Sequence, residues 1–358
     1  MSTGLRSRVI ATSGRKVKYA NGKSSEERFH NYPYGAAVFT KENVDGWVYI
    51  SNSEGSENGG VGVIYFDSNG NITKYKKILK GTRRNCGGGK TPWNTWLTFE
   101  EASGGHVFEV DPWNPQNEYN SSKTHIGGEK GDYYEAVAYD NRDPFSPKFF
   151  VTTDSSVGAI VRFTPNPDKI SEAIASNDFS SVLHAPGNHS YLVLNKVSGS
   201  EGSFEWSQTL NEGRISAYQH VPYSEGIDVR DGMLYFTTKK YKRLFILDLD
   251  AGTYNESVTE SGAFNNQPDQ ITRIIGSGKE SILYFCEDGG SDCGVHGRNS
   301  EGMYFTILES LDFETETTGL SFSPDNKHMY VSFQSGPGHI FDITREDGLP
   351  FDGAAAWT

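Results

Sequence analysis

Short apolar runs recur along the whole chain, and turn-forming residues close each of them. The runs have the length of a strand and are rich in β-branched and aromatic residues, with Gly, Asn, Asp or Pro following. They are GWVYISNSE, GVGVIYFDSNGNI, PKFFVTTD, GAIVRFTP, YLVLN, GMLYFTTKK, RLFILDLD, SILYFCEDGG, MYFTILE and HMYVSFQ. So many short strands predict a β-sandwich or a β-propeller.

The composition and the spacing of the runs favour a propeller. The 40 glycines, 19 tyrosines and 21 phenylalanines of the 358 residues suit strands and tight turns. Helical periodicity is faint and confined to NPDKISEAIASNDFSSVL. The repeat length is irregular, and no Pro/Ser-rich linker separates two halves. We therefore predict one all-β domain over residues 1–358, a single six-bladed β-propeller with loop insertions. An N-terminal strand should close it by pairing with a C-terminal strand, because an open ring would expose an edge.

The charge of the chain limits its partners. A formal net charge of -13 argues against nucleic acid and anionic membranes, which both require a basic surface. No stretch approaches the roughly 20 apolar residues that span a bilayer. The polar start MSTGLRSRVIATSGRK lacks the apolar region of a signal peptide, so the protein is cytosolic or its leader is missing from this sequence.

Four sequons favour secretion. They lie at Asn71, Asn120, Asn188 and Asn255. Such tripeptides also arise by chance. We expect a secreted or extracellular protein, with the cytoplasm as the alternative.

The three cysteines are too few for a disulfide framework. They are Cys86, Cys286 and Cys293, and an odd number leaves at least one thiol unpaired. Cys286 and Cys293 are close enough in sequence to pair across a loop. The sequence leaves open whether they form a disulfide or stay two free thiols.

Acidic residues recur at the ends of the predicted strands. Those at the end of a run are Glu54, Glu100, Glu101, Asp154, Glu287 and Asp288, and those at the start of a run are Glu135, Glu225, Asp269 and Glu316. The innermost strand of each propeller blade lines the central channel, so these acids should converge at one mouth of it. Carboxylates gathered in this way repel one another unless cations lie among them. The pattern therefore predicts a metal site.

The ligand types indicate which metals would bind. Carboxylate oxygens suit Ca²⁺, whereas a thiolate suits a transition metal, so Cys86 ahead of Glu100 and Glu101 indicates a mixed site. The alternative for Cys86 is a buried small hydrophobic residue. For each acid taken singly, the alternative is a solvated turn residue or a helix cap.

One long segment resembles a known family. NCGGGKTPWNTWLTFEE resembles the N-C-A-G-G-x-T-P-W-G-T-W-L-(S/T)-C-E-E signature of the PhoX alkaline phosphatases. The similarity continues in YPYGAAVF, GWVYISNSEG, RFTPNP, YSEGIDV, QPDQITRI, CEDGG, TTGLSFSPDNKHMYVSFQ and GHIFDITREDGLPF, and the later segments resemble the eukaryotic branch most. The resemblance implies a six-bladed propeller with an iron pair and calcium ions at the channel mouth. It also implies export and the hydrolysis of phosphomonoesters.

The resemblance assigns roles to individual residues. It implies Cys86 as an iron ligand beside a carboxylate cage, with Ca²⁺ and Fe³⁺ as cofactors. With Asp154 as a compensating acid, the expected metal ligands are Glu54, Cys86, Glu100, Glu101, Glu135, Asp154, Glu225, Asp269, Glu287 and Glu316. The glycines should let the backbone approach the metals, and the tryptophans should wall the site.

The expected substrate is a small phosphomonoester, and the expected state is a monomer. The acidic cage needs cationic side chains to help hold such a substrate, so we take Arg162 and Arg298 as candidate catalytic residues. Glu135 of the cage is the third candidate. Lys239 and Lys240 are further cations, but in FTTKKYKRLF they read better as edge-strand residues. His296 is a possible proton donor, although most loop histidines have no such role.

The chain departs from the family pattern in two places. Tyr134 and Glu135 stand where the family has His-Glu, and Thr152, Thr153 and Asp154 stand where it has Thr-Glu-Asp. The second change removes a carboxylate, so a metal could be lost and activity with it. The alternative function is a catalytically silent, calcium-stabilised propeller that acts in binding or as extracellular structure.

The stretch DSNGN at 67–71 resembles the start of a calcium-binding loop. An EF-hand needs a glutamate at loop position twelve, where this chain has Ile78. We therefore predict a hairpin turn there.

Overall fold

The computed structural model describes residues 3–128, 131–273, 282–310, 312–334 and 336–351. Within these ranges the chain is built almost entirely of antiparallel strands, so the all-β prediction is confirmed. Two compact units are present. Unit 1 comprises Met1–Asn85, Asp111–Glu118 and Glu260–Thr358, and unit 2 comprises Cys86–Val110 and Tyr119–Thr259. The single domain stays a prediction.

Unit 1 contains three four-stranded sheets and one small hairpin. The first sheet has the order β1-β26-β25-β24, and the other two run in sequence order from β4 to β7 and from β20 to β23. The strands of the first sheet are β1 (Leu5–Thr12), β24 (Thr317–Phe322), β25 (His328–Phe333) and β26 (His339–Arg345), and the hairpin is β2 (Lys16–Lys18) with β3 (Ser24–Arg28). The remaining strands are β4 (Pro33–Phe39), β5 (Trp47–Ser53), β6 (Gly59–Phe66), β7 (Ile72–Thr82), β20 (Gln267–Arg273), β21 (Leu283–Asp288), β22 (Gly294–Arg298) and β23 (Tyr304–Glu309).

Unit 2 contains a three-stranded and a nine-stranded sheet. The small sheet has the order β10-β9-β8, and the large one joins the meanders β11 to β15 and β16 to β19 through a β15–β19 pairing. The first strands are β8 (Asn85–Lys90), β9 (Trp96–Glu100), β10 (Val107–Val110), β11 (Tyr134–Asp140), β12 (Lys148–Thr153), β13 (Val161–Thr164) and β14 (Asn188–Ser198). The others are β15 (Glu201–Ser207), β16 (Ser224–Arg230), β17 (Met233–Thr238), β18 (Arg243–Asp248) and β19 (Thr253–Val258).

Three short helices complete the described structure: α1 (Tyr119–Ser122), α2 (Pro167–Ser176) and α3 (Leu210–His220). The segment with faint helical periodicity contains α2, which Asn166 caps by accepting the N–H of Asp168 at 2.9 Å. Helix α3 was not predicted. Among the described residues, no helix is long and apolar enough to cross a bilayer.

The predicted terminal pairing is confirmed. Strand β1 pairs antiparallel with β26, from Leu5 opposite Arg345 to Thr12 opposite His339. This pairing covers the edge of the C-terminal sheet. The predicted turn at 67–71 is also confirmed, since Asp67 Oδ1 accepts the backbone N–H groups of Asn69 and Asn71 at 2.9 Å each.

Each unit has its own apolar clusters. In unit 1, one cluster is centred on Tyr49 and Tyr330, and a second holds Cys286 and Cys293. All three cysteines are free and buried. Cys286 and Cys293 are therefore two thiols and do not form a disulfide. In unit 2, the two clusters lie on either side of the β11–β12 hairpin.

A bulge recurs near the start of the first strand of five of the described sheets or meanders. In unit 2, for example, Tyr134 lies opposite Thr153 and Val137 opposite Val151, so three residues of β11 span two of β12. The same shift follows Pro33, Ser224, Pro268 and Thr318. The shift follows one regular pair, such as Tyr134 and Thr153. We call the residue after the first-strand member of this pair the bulge position. The residue after its second-strand member is called the exit position. The bulge positions are Tyr34, Glu135, Glu225, Asp269 and Gly319, and the exit positions are Glu54, Asp154, Lys239, Asp288 and Phe333.

Candidate metal centre

Unit 1 brings three carboxylates together. Ligand oxygens of Asp269, Asp288 and Glu316 all lie within 4.8 Å of one another. Asp269 is fully buried and accepts a hydrogen bond from Tyr34 Oη at 2.7 Å, whereas the other two acids are partly exposed. Calcium binds oxygens at about 2.3–2.6 Å, so two of its ligands lie up to about 5 Å apart. The spacing of these three acids therefore fits one calcium ion.

The structure brings Asp288 to this cluster and gives Glu287 another task. Adjacent residues of a strand point to opposite faces, and these two are the last residues of β21. Glu287 accepts the backbone N–H groups of Asn265 and Asn266 on one oxygen, at 3.0 and 2.8 Å. Its other oxygen meets Gly294 N–H and His296 Nε2, each at 3.0 Å. Glu287 thus anchors a loop, and its role as a ligand stays a prediction.

Cys86 lies beside Glu101 in unit 2. The sulfur and a carboxylate oxygen are within 4.8 Å of each other, and both residues are buried. Glu101 follows β9 and forms an isolated bridge with Tyr133, directly before β11. A thiolate with a carboxylate is a donor set for a transition metal, so the pair fits iron in its chemistry.

The glycines after Cys86 let β8 lie against β11. A Cβ on Gly87 would be 2.1 Å from the carbonyl oxygen of Glu135 and 2.7 Å from its Oε1, and a Cβ on Gly89 would be 2.1 Å from the carbonyl oxygen of Val137. A side chain at either position would separate the strands. The predicted close approach of backbone is therefore present, but its partner is the strand that carries Glu135.

Glu135 and Glu225 form a second carboxylate pair in unit 2. Their ligand oxygens lie within 4.8 Å of each other, and both residues are buried. Lys239 Nζ lies 3.2 Å from Glu225 Oε1 and 3.7 Å from Asp154 Oδ2. A lysine is thus part of this acidic group, which the sequence did not lead us to expect.

Glu54 and Glu100 also have partners within their own units. In unit 1, Glu54 lies 3.2 Å from Arg84 Nη2 and accepts a hydrogen bond from Gln334 Nε2. In unit 2, Glu100 accepts the backbone N–H of His106 at 3.2 Å. Their roles as metal ligands stay predictions.

Neither predicted arginine lies with the carboxylates of its own unit. Arg298 lies opposite Leu283, at the other end of β21 from Asp288 and roughly 16 Å away along the strand. Arg162 lies two strands from Glu135, where its Nε donates to Ser190 Oγ at 2.9 Å and its guanidinium stacks on Trp206 at 4.8 Å. Both arginines support their sheets, and their predicted catalytic role has no support from these positions.

Thr153 occupies the position that corresponds to Glu287. Each lies directly before an exit position, and each donates its backbone N–H to a hydroxyl of the next first strand: Thr153 to Ser224 Oγ at 3.0 Å and Glu287 to Thr317 Oγ1 at 2.9 Å. The Thr153 hydroxyl donates to the carbonyl of Ala159 at 3.1 Å. The departure from the family at this position therefore concerns a loop anchor.

The buried histidine and thiols of unit 1 belong to the core. His296 is fully buried and held between Glu287 and Thr306, with Nδ1 3.0 Å from Thr306 Oγ1. Burial raises the pKa of Cys286 well above its usual value, and the charge of Asp269 adds to the effect. Burial also raises the pKa of Cys293 to about 11. Both cysteines therefore stay neutral thiols at physiological pH.

A family model agrees with the motif around Cys86. The model described as alkaline phosphatase PhoX matches residues 65–105, which include Cys86, Glu100 and Glu101. The predicted resemblance to PhoX is confirmed. Comparison with curated proteins gives no match.

The fold is shared with solved structures. Pseudomonas fluorescens PhoX in complex with vanadate, a transition state analogue, is 16% identical with a TM-score of 0.72, over 98% of this chain and 96% of that one. A protein of unknown function from Dyadobacter fermentans is 12% identical with a TM-score of 0.54, over 96% and 100%. Another from Bacteroides thetaiotaomicron is 11% identical with a TM-score of 0.51, over 95% and 76%. At these identities the likeness shows the fold, which for PhoX is a β-propeller.

Sequence reasoning missed two members of the site. Asp288 was noted at a strand end but not chosen, because the resemblance favoured its neighbour Glu287. Lys239 was read as an edge-strand residue. The alternation of side chains along β21 could have separated Glu287 from Asp288, whereas the role of Lys239 depends on the pairing of β16 with β17.

Proposed function

We propose that the protein is a metal-dependent phosphomonoesterase of the PhoX type. The observation that carries the proposal is the Cys86–Glu101 pair, since it lies inside the segment that the PhoX family model matches. The shared fold with a PhoX that binds vanadate as a transition state analogue adds support. Vanadate imitates a phosphoryl group in transfer, so that ligand agrees with a phosphate ester as substrate.

In this proposal the sheets correspond to six blades. The nine-stranded sheet counts as two, because its two meanders each start with a bulged strand and are joined as one sheet through the β15–β19 pairing. The three-stranded sheet and the three four-stranded sheets supply the other four.

Within unit 1, Asp269, Asp288 and Glu316 would hold calcium. Tyr34 keeps Asp269 oriented through its hydroxyl, and the burial of Asp269 removes competing water. Within unit 2, Cys86 and Glu101 would hold iron, and the missing side chain of Gly87 lets Glu135 of β11 lie against β8. When bound, these ions supply the positive charge that phosphoryl transfer requires.

We further propose that the substrate is a small phosphomonoester and that the protein acts outside the cell as a monomer. The net charge of -13 agrees with a calcium-rich environment, because the carboxylates gain counter-ions there. The sequons support the same location.

The test compares two cysteines. The protein is purified with calcium and iron, and its visible spectrum and its hydrolysis of p-nitrophenyl phosphate are measured. We expect a thiolate-to-iron charge-transfer band that Cys86→Ser bleaches together with the activity. Cys293→Ala is the matched control, because Cys293 is an equally buried thiol in an apolar cluster, and it should keep both colour and activity. A colourless wild type that contains no iron and is inert toward the ester would contradict the proposal and leave the silent calcium-stabilised propeller.

A further inference from the structure

Lys239 takes a position that carboxylates hold elsewhere in the chain. It is one of five exit positions. Three of the others carry an acid, Glu54, Asp154 and Asp288, and the remaining one is Phe333. The backbone confirms the equivalence for three of them. Glu54, Asp154 and Lys239 each donate their N–H to the carbonyl of the residue two before the bulge position, Tyr32, Tyr133 and Tyr223, at 2.9, 2.9 and 3.0 Å.

The exchange of an acid for a lysine changes the local charge. In the sheet that holds Asp269, both the bulge and the exit position carry a carboxylate, and Glu316 adds a third. At the start of β16 the bulge position carries Glu225 and the exit position carries a cation. The three carboxylates of the first group repel one another unless a cation lies among them, whereas the Lys239 ammonium offsets part of the negative charge in the second group.

The geometry around Lys239 is that of a buried ion pair. Glu225 is fully buried, the Lys239 side chain is only 17% exposed, and the Nζ–Oε1 distance is 3.2 Å. The same ammonium also lies 3.7 Å from Asp154. It thus faces two carboxylates at the distance of a counter-ion, and Glu135 lies next to Glu225.

We propose that Lys239 is a tethered cation that takes the place of a divalent ion at Glu225. The chain therefore needs one metal ion fewer than it would bind with a carboxylate at position 239. This inference rests on the proposed metal centre but not on its hydrolytic activity.

The experiment counts bound calcium. Wild type, Lys239→Glu and Lys240→Glu are equilibrated at one free calcium concentration, and bound calcium per chain is measured by inductively coupled plasma mass spectrometry. Lys239→Glu restores the carboxylate that three other exit positions carry and should bind one calcium more than wild type. Lys240→Glu is the matched control with the same charge change. It should bind no more than wild type, because Lys240 lies over the ring of Tyr241 at 5.5 Å.

A second variant tests the same inference if Lys239→Glu does not fold. Lys239→Met removes the ammonium and keeps the chain length, so Glu225 loses its cation. Its melting temperature in chelator should be lower than that of wild type. Added calcium should raise its melting temperature by more than it raises that of wild type. Lys239→Met that melts like wild type with and without calcium would overturn the inference, and so would a folded Lys239→Glu with the wild-type calcium count. A wild type that binds no calcium would instead contradict the proposed metal centre, and loss of ester hydrolysis alone would bear only on the proposed function.

Discussion

Gly87→Ala tests the close approach of β8 to β11 that places Gly87, next to Cys86 in sequence, against Glu135. A Cβ at position 87 would lie 2.1 Å from the carbonyl oxygen of Glu135 and 2.7 Å from its Oε1. Non-bonded heavy atoms prefer about 3.5–4.0 Å, so the strands must separate by about 1 Å or more before the contact is acceptable. The contact is with backbone, and a rotamer change of a neighbour cannot relieve it.

The cost should exceed the usual benefit of replacing glycine. Overpacking of this kind costs about 1–3 kcal/mol, whereas the lower entropy of the unfolded chain returns about 0.4–1 kcal/mol. We expect Gly87→Ala to lower the free energy of unfolding by about 1–2 kcal/mol. It should also weaken iron binding, because Cys86 moves together with the strand.

Urea denaturation with calcium present measures this free energy, and the visible spectrum reports the iron. Gly55→Ala is the control, because its Cβ would meet nothing closer than Asn58 O at 3.4 Å, and it should change the stability by less than about 0.5 kcal/mol. A Gly87→Ala protein as stable as wild type, with an unaltered spectrum, would refute the argument from close approach.

Three further variants probe other contacts. Tyr34→Phe removes the hydroxyl that donates to buried Asp269, and urea unfolding should show a loss of about 1.5–3 kcal/mol. The hydrogen-bonded ion pair with Glu109 raises the pKa of His184, so the charged His184 stabilises the folded state. Wild type should therefore be more stable than His184→Gln, with the full difference below about pH 6.5 and a smaller one as pH rises through the raised pKa. A difference that grows with pH would contradict this prediction. Thr153→Glu places a charge where the hydroxyl now anchors a loop, so it should lower stability by about 2 kcal/mol or more and bind no additional calcium; a gain of calcium would show that the position is a ligand.

The strands were predictable because their signals are local. Segments such as GWVYISNSE and HMYVSFQ carry β-branched and aromatic residues between turn residues, and they form β5 and β25. Helix α3 was missed because its buried positions are Gly213, Ser216 and Ala217. Such small residues leave little apolar periodicity, and Gly213 is required because a Cβ there would lie 2.5 Å from Tyr191 Cβ.

The site was predictable in its residue types but not in its pairings. Acids at strand ends pointed to Asp269 and Glu316, which do meet in unit 1. The choice between Glu287 and Asp288 depends on which face of β21 each side chain takes. Their alternation is visible in the sequence, but the face that turns toward Asp269 is not. The ion pair of Lys239 depends on the register of β16 and β17. Asp231-Gly232, both at positive φ, marks their hairpin turn, but the bulge after Ser224 shifts the register and has no sequence signal.

Elemental analysis of the purified protein tests the central claim most directly. The account holds that carboxylates and the Cys86 thiolate bind calcium and iron together. It predicts that calcium and iron both copurify in amounts comparable with the protein, and that Cys86→Ser loses the iron while it keeps calcium. Calcium without iron in the wild type, or iron that is retained in Cys86→Ser, would contradict the account.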